Sequence, residues 1–168
     1  MNIRTLTDRL AIWISTGLGV GLISPAPGTV GGLWGLPLVW LIGQMSPAAQ
    51  GPTLVILVFA SVAICSVAAR VLGGSKDPQA IVLDEIVALP IVFLGTGCKS
   101  PAVWVVGFLL FRLFDISKPP PARQAERLHT GWGIVADDCI AAGYAWLALQ
   151  AVLWADSALE LGWLATAA

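Results

Sequence analysis

TLVILVFASVAICSVAARVL, residues 53–72, is a run of twenty residues whose single charge, Arg70, comes near its end. A helix needs about 20 apolar residues to cross a bilayer, so this stretch predicts a membrane span and sets the fold class of the whole chain. The composition agrees. Of the 168 residues 57% are hydrophobic and 11% are charged, where an ordinary soluble domain is about a quarter charged. The eighteen glycines and eight tryptophans fit the same class, since glycine allows close packing of membrane helices and tryptophan gathers at bilayer interfaces. The net charge of −1 carries no information on acidic partners or nucleic acid, and no nucleic-acid partner is expected.

Upstream of this span, residues 29–45 are apolar and predict another, with Gly28 and Gly32, and Gly31 and Gly35, at four-residue spacing that lets a neighbouring helix approach. Before it, SPAPGTVGG at 24–32 breaks the chain, with Pro27 placed to open a helix. Residues 10–23 are apolar but too short to cross, and predict an interfacial or re-entrant segment. The arginines of MNIRTLTDRL precede this run as in a signal peptide, but no cleavage site follows, and the N-terminus is expected to stay in the mature protein.

Downstream, Asp77 reads as an N-cap and Pro78 as the first helical position of a third span running to Gly95, which contains Asp84 and Glu85. Ser100 and Pro101 repeat the signal for a fourth span ending in FRLFD, and KPPPARQAERLHTG is a polar connection. The last span covers residues 131–155 and carries Asp137 and Asp138 near its start. The expected fold is all-α: a polytopic membrane bundle of four to five membrane-embedded helices. It forms a single domain over 1–168, with an interfacial segment at 1–28, the bundle at 29–155 and a tail at 156–168.

Cytoplasmic loops carry an excess of lysine and arginine. With the N-terminus inside, Arg4, Arg9, Arg70, Lys76, Arg112, Lys118, Arg123 and Arg127 share one side and Lys99 alone lies opposite. The same orientation puts Asp84, Glu85, Asp115, Asp137 and Asp138 together near the cytoplasmic face. A helical rise of 1.5 Å per residue sets Asp84 about 10 Å below Asp77, and Asp137 about 9 Å below Gly131.

Ionisable groups in membrane spans are costly and are functional candidates by default. Helix-locking ion pairs would explain one such acid, but five exceed what Arg112 and Lys118 can pair. Clustered carboxylates suit a hard cation such as Mg²⁺, which takes one or two of them together with phosphate oxygens. Such an ion would offset the repulsion between the acids and a phosphate, polarise the phosphoryl oxygen and lower the pKa of a bound water. Arg112 and Asp115, three apart, share a helix face. Arg112 offers a fork of donors suited to phosphate and Lys118 a point charge just past the helix end. Both could equally serve to stop the span at the headgroups. The Gly28 and Thr29 backbone, at a helix start, could add N–H donors.

Other chemistries lack their residues: the sequence holds no Cys-x₅-Arg loop and no Asp-x-Asp pair. His129, the single histidine, falls in a polar loop and reads as a surface residue. Cys65, Cys98 and Cys139 are scattered and read as packing residues, with neither a disulfide framework nor a zinc site.

PGTVGGL at 27–33, DPQAIVLDEIV at 77–87, FRLFDISKPPP at 111–121 and GIVADDCIAAG at 133–143 resemble, in order and spacing, the motifs of the phosphatidylglycerophosphatase A family. The resemblance covers about residues 15–148. It departs at Ala88, where glycine is usual, and at Pro120, where tryptophan is usual; no charged motif position is lost. It implies a bacterial inner-membrane, Mg²⁺-dependent lipid phosphatase that converts phosphatidylglycerophosphate to phosphatidylglycerol and phosphate. The acidic motif residues fall on Asp84, Glu85, Asp115, Asp137 and Asp138, as metal ligands and catalytic groups, and the basic ones on Arg112 and Lys118. Spacing does not divide the acids between ligands and general base. The expected partners are the phospholipid substrate and the bilayer. A small ion- or proton-coupled transporter, which would use acids at the midplane and an inverted repeat, and an inactive lipid-binding paralogue are the alternatives.

Overall fold

The computed structural model describes residues 5–73, 78–96 and 100–164, and every regular element among them is a helix. Arg4, Lys76, Asp77, Cys98 and Lys99, which entered the readings above, lie outside the described residues.

Helix α1 (Leu6–Ser15) opens with a capping box: Asp8 N–H donates to Thr5 Oγ1 at 3.2 Å, and Thr5 N–H donates to Asp8 Oδ2 at 2.9 Å. The chain then reverses through Gly17, Leu18 and Gly19, all at positive φ, into the single turn of α2 (Val20–Ile23). Thr16 ties the reversal together, donating from its hydroxyl to Ile12 O at 2.7 Å and accepting from Gly19 N–H at 3.1 Å. The segment expected to be interfacial or re-entrant is thus a helix, a turn and a short return, with α1 lying along α5.

The run expected as one span over 29–45 divides into α3 (Pro27–Trp34) and α4 (Leu36–Gly43), broken at Gly35. Pro37 lacks the N–H that would continue the ladder across the break. The four glycines meet two neighbouring helices. Gly31 and Gly35 face α6 (Leu83–Val92), where a Cβ on Gly35 would lie 3.1 Å from Ile86 O; one on Gly32 would lie 2.9 Å from the Phe108 ring of α7 (Pro101–Ser117).

Helix α5 (Pro47–Leu72) has 26 residues and α9 (Gly131–Ala158) has 28; these two are long and apolar enough to cross a membrane. The other expected spans are shorter. Helix α7 begins at Pro101 behind Ser100, as predicted. The third span does not begin at Pro78. Ile81 N–H closes a turn onto Pro78 O at 2.8 Å, and Val82 N–H donates to Ser15 O of α1 at 2.8 Å, so that α6 starts only at Leu83. Asp84 and Glu85 therefore sit in the first turn of a helix, where unpaired N–H groups and the dipole favour carboxylates. The depth reckoned from a helix starting at Asp77 does not apply to them. The polar connection after α7 contains one further turn, α8 (Ala122–Ala125), which packs on α9.

Helix α6 is the centre of the bundle, in contact with α9, α5, α3 and α4. Its Ala88, Leu89 and Val92 join Phe111 of α7 and Ala141, Ala142, Ala145 and Leu149 of α9 in the main core. The alanines of α9 allow the close approach, the role small residues play between membrane helices. Leu94 O, just past the end of α6, accepts from Trp146 Nε1 at 2.9 Å and Gln150 Nε2 at 3.4 Å, which satisfies a carbonyl the helix itself leaves open. Outward, Val105, Leu109, Leu113 and Ile116 of α7 and Val55, Ile56 and Phe59 of α5 are all more than half exposed. Apolar faces of this extent suit lipid rather than water.

Candidate active site

Three short helices end at one place. The first turns of α3 and α6 and the last turn of α7 converge beside α9, around a cavity of about 360 Å³. Gly131, at the start of α9, donates from its N–H to Ser66 Oγ of α5 at 2.8 Å. Asp137 lies six residues further on, about 9 Å along the helix.

All the residues singled out from the sequence line this cavity: Asp84, Glu85, Asp115, Asp137 and Asp138, with Arg112, Lys118, Gly28 and Thr29. The five acids are buried, Asp137 and Asp138 to 3% and 4% exposure. Arg112 Nη1 bridges two elements, bonding Glu85 Oε1 of α6 at 2.9 Å and Asp115 Oδ2, one turn along α7, at 2.6 Å. The donors on Nη2 and Nε enter neither pair. Lys118 caps α7 in the left-handed region, with φ 43° and ψ 60°. That turn directs the chain back toward α9, where Nζ meets Asp137 Oδ2 at 2.8 Å, with Glu126 Oε1 at 3.6 Å. Burial acts to lower the Lys118 pKa, but the Asp137 hydrogen bond and the charges of Asp137, Glu126 and Asp138 outweigh it and raise the pKa, so the ammonium stays charged.

Glycines form the wall opposite Arg112. A Cβ on Gly28 would strike Glu85 Oε1, and one on Gly31 would lie 2.6 Å from Glu85 Oε2. The carboxylate of Glu85 therefore rests directly on the α3 backbone. Gly28 and Thr29 precede the first helical bond of α3, from Val30 N–H to Ala26 O at 3.1 Å, so their N–H groups have no partner within the helix.

Five carboxylates against two cations leave the cavity with a formal excess of three negative charges. Asp137 Oδ1 and Asp138 Oδ2 are buried and accept no hydrogen bond among the described residues. Buried acceptors are nearly always satisfied, and carboxylate oxygens left without a donor in one acidic cavity are of the type a hard divalent cation takes. The residues present fit such an ion.

Gln79, in the turn before α6, also lines the cavity. Its neutral amide in an irregular segment carries no signal in the sequence. Glu126, paired with Lys118, was likewise masked by its polar loop. His129 is exposed and is not among the cavity residues.

Fold and site together define an all-helical protein with helices of membrane-spanning length and an acidic pocket, edged by two cations, where its short helices end. A family model described as phosphatidylglycerophosphatase A matches residues 13–153, and the chain belongs to that family. It is 35% identical over 145 residues to the phosphatidylglycerophosphatase A of Haemophilus influenzae, covering 83% of this chain and 86% of that one. A putative phosphatidylinositol-3-phosphatase of Bacteroides thetaiotaomicron is 32% identical over 153 residues, 86% of this chain and 94% of the other. The phosphatidylglycerophosphatase A of Escherichia coli is 30% identical over 129 residues, 76% and 74% of the two chains. No solved structure gives a significant match. Membership places the protein among membrane lipid phosphatases of phosphatidylglycerol metabolism.

Proposed function

We propose that the protein hydrolyses phosphatidylglycerophosphate to phosphatidylglycerol and phosphate at the cytoplasmic face of a bacterial inner membrane, with Mg²⁺ as cofactor. The observation that carries this reading is the convergence of five buried acids with Arg112 and Lys118 on one cavity. Arg112 is oriented from two sides by Glu85 and Asp115 and keeps its remaining donors for a phosphate oxygen. Lys118 adds a second positive contact, and the Gly28 and Thr29 N–H groups a third. Asp84, Glu85, Asp115, Asp137 and Asp138 are the residues that would hold the cation. Bound there, it would offset the negative excess and lower the pKa of a water. A water attacks phosphorus in line and one of these carboxylates takes its proton; the bond from phosphorus to the glycerol oxygen breaks as that oxygen takes a proton back from the carboxylate or from solvent water.

The excess of basic residues at this end of the bundle supports a cytoplasmic site, with the remaining apolar helices completing four to five membrane-embedded segments. The placement of the acids toward one end of their helices, rather than at the middles, speaks against a transporter.

The test is purified protein in detergent with phosphatidylglycerophosphate and Mg²⁺, following phosphate release and phosphatidylglycerol formation. Asp138→Asn and Asp84→Asn should each slow turnover at least about a hundredfold. No release, or release unchanged in both variants, would overturn the reading. Phosphatidylinositol 3-phosphate belongs in the same assay because of the Bacteroides relative; faster hydrolysis of that lipid would reassign the substrate.

A further inference from the structure

Lys118 is followed by Pro119, Pro120 and Pro121. Proline has no N–H, so this stretch can be hydrogen-bonded only through its carbonyls. Two of the three are used locally: Pro119 O accepts from Ala122 N–H at 2.8 Å, and Pro121 O accepts from Gln124 and Ala125 N–H, each at 3.0 Å. Pro120 O reaches across to another helix, where it accepts from Tyr144 Oη at 2.7 Å.

Tyr144 also holds the other side of Lys118. Its ring stacks on Phe114 of α7, with centroids 5.6 Å apart and planes 30° from parallel, and Phe114 O is the acceptor for Lys118 N–H at 2.9 Å. The single tyrosine of the chain thus touches the turn before Lys118 and the loop after it. Seven residues, about two helical turns, separate it on α9 from Asp137, so both project from the same side of that helix. Asp137 takes the Lys118 ammonium at 2.8 Å. Lysine is a point charge on a flexible four-carbon stem, and where its charge sits depends on where its backbone is fixed.

We propose that Tyr144 is a positioning residue for Lys118, pinning the triple-proline loop to α9 so that the ammonium faces the phosphate. This rests on the reading of Lys118 as a phosphate ligand. Tyr144→Phe keeps the stacked ring and removes the hydrogen bond. It should raise KM for phosphatidylglycerophosphate about three- to tenfold, the range of one neutral hydrogen bond, with kcat within about twofold. Competitive inhibition by inorganic phosphate should weaken by the same factor. In a Lys118→Met background the same change should have no effect on either quantity, because a residue that acts only through Lys118 loses its influence with it.

An unchanged KM and phosphate inhibition in Tyr144→Phe would overturn the proposal, as would an effect that persists in Lys118→Met. A lower kcat and melting midpoint at constant KM would also overturn it, by making the residue merely structural. If Lys118→Met does not fold, Lys118→Ala completes the same cycle. If the wild-type protein releases no phosphate from the lipid, the substrate reading falls on its own. The Tyr144 effect is then read from equilibrium titration of inorganic phosphate into the four proteins, with the same expected and overturning results.

Discussion

Glu85 does two things with one carboxylate: Oε1 holds Arg112, and the group as a whole rests on Gly28 and Gly31 of α3. A methyl at Gly28 meets the far end of a flexible side chain, which can move aside, rather than backbone. Gly28→Ala should therefore cost little stability but shift Glu85 and, with it, Arg112. Misplacement of a phosphate ligand on the ångström scale costs up to about a hundredfold in rate. The expectation is a tenfold or greater loss of phosphate release with a melting midpoint near wild type. Lys118 makes a second prediction. Its raised pKa means that its ion pairs stabilise the fold fully below the ordinary value of 10.5 and are lost only as pH rises through the higher folded value. A Lys118→Arg variant, charged throughout, should share the alkaline limb of the wild-type rate profile up to about pH 10. An alkaline loss in the wild type that the variant lacks would show Lys118 titrating in that range. Charge made these residues legible in advance, because ionisable groups in an apolar chain stand out. Tyr144 and Gln79 gave no such signal: their roles depend on which carbonyl or cavity lies opposite, and only the folded chain decides that.

At the scale of elements, periodicity and punctuation located the long helices but not every end, and they missed the break between α3 and α4 and the turn of α8. Ser100-Pro101 marked the start of α7 correctly. The similar signal at Asp77-Pro78 misplaced the start of α6, since Val82 N–H is taken by Ser15 O of another helix. The division of α3 from α4 combined Gly35 and Pro37 with the close approach of α6, and of these only the residue types could be read beforehand. The glycine spacing that suggested helix contact was borne out, with Gly28, Gly31 and Gly35 against α6 and Gly32 against α7. Gly131 shows the same demand against backbone. A Cβ there would collide with Val62 O of α5, and the Ser66 hydroxyl that accepts its N–H lies 2.6 Å from the same point. Gly131→Ala must then push α9 from α5, or break that bond. The cost should be about 2 kcal/mol, in the range of overpacked sites. Thermal melts in detergent should show a midpoint about 4–8 °C lower. A midpoint equal to wild type would mean that the two helices are not in contact at this level.

For the molecule as a whole, the site works against the fold. The charges that act on Asp138 from Asp84, Asp115, Asp137 and Glu85 are of its own sign, and Lys118, whose charge also reaches it, is hydrogen-bonded to Asp137 instead. Buried like charges destabilise unless a counter-ion joins them. A protein that held these acids only as helix-locking pairs would be indifferent to divalent ions and would weaken when one acid was neutralised. One that holds them for a cation should do the reverse on both counts. Added Mg²⁺ should raise the wild-type melting midpoint saturably, as any ligand of the folded state does. Asp138→Asn, which keeps the shape and removes one repelling charge, should melt higher than wild type in chelator, by about 2–4 °C for each 1 kcal/mol of relieved repulsion. The same variant should gain less from Mg²⁺, so that the two melting curves approach or cross as the ion is added, while its phosphate release stays low. Parallel melting curves, or an Asp138→Asn protein less stable in chelator, would show that the acids are satisfied within the protein and that the cation site lies elsewhere.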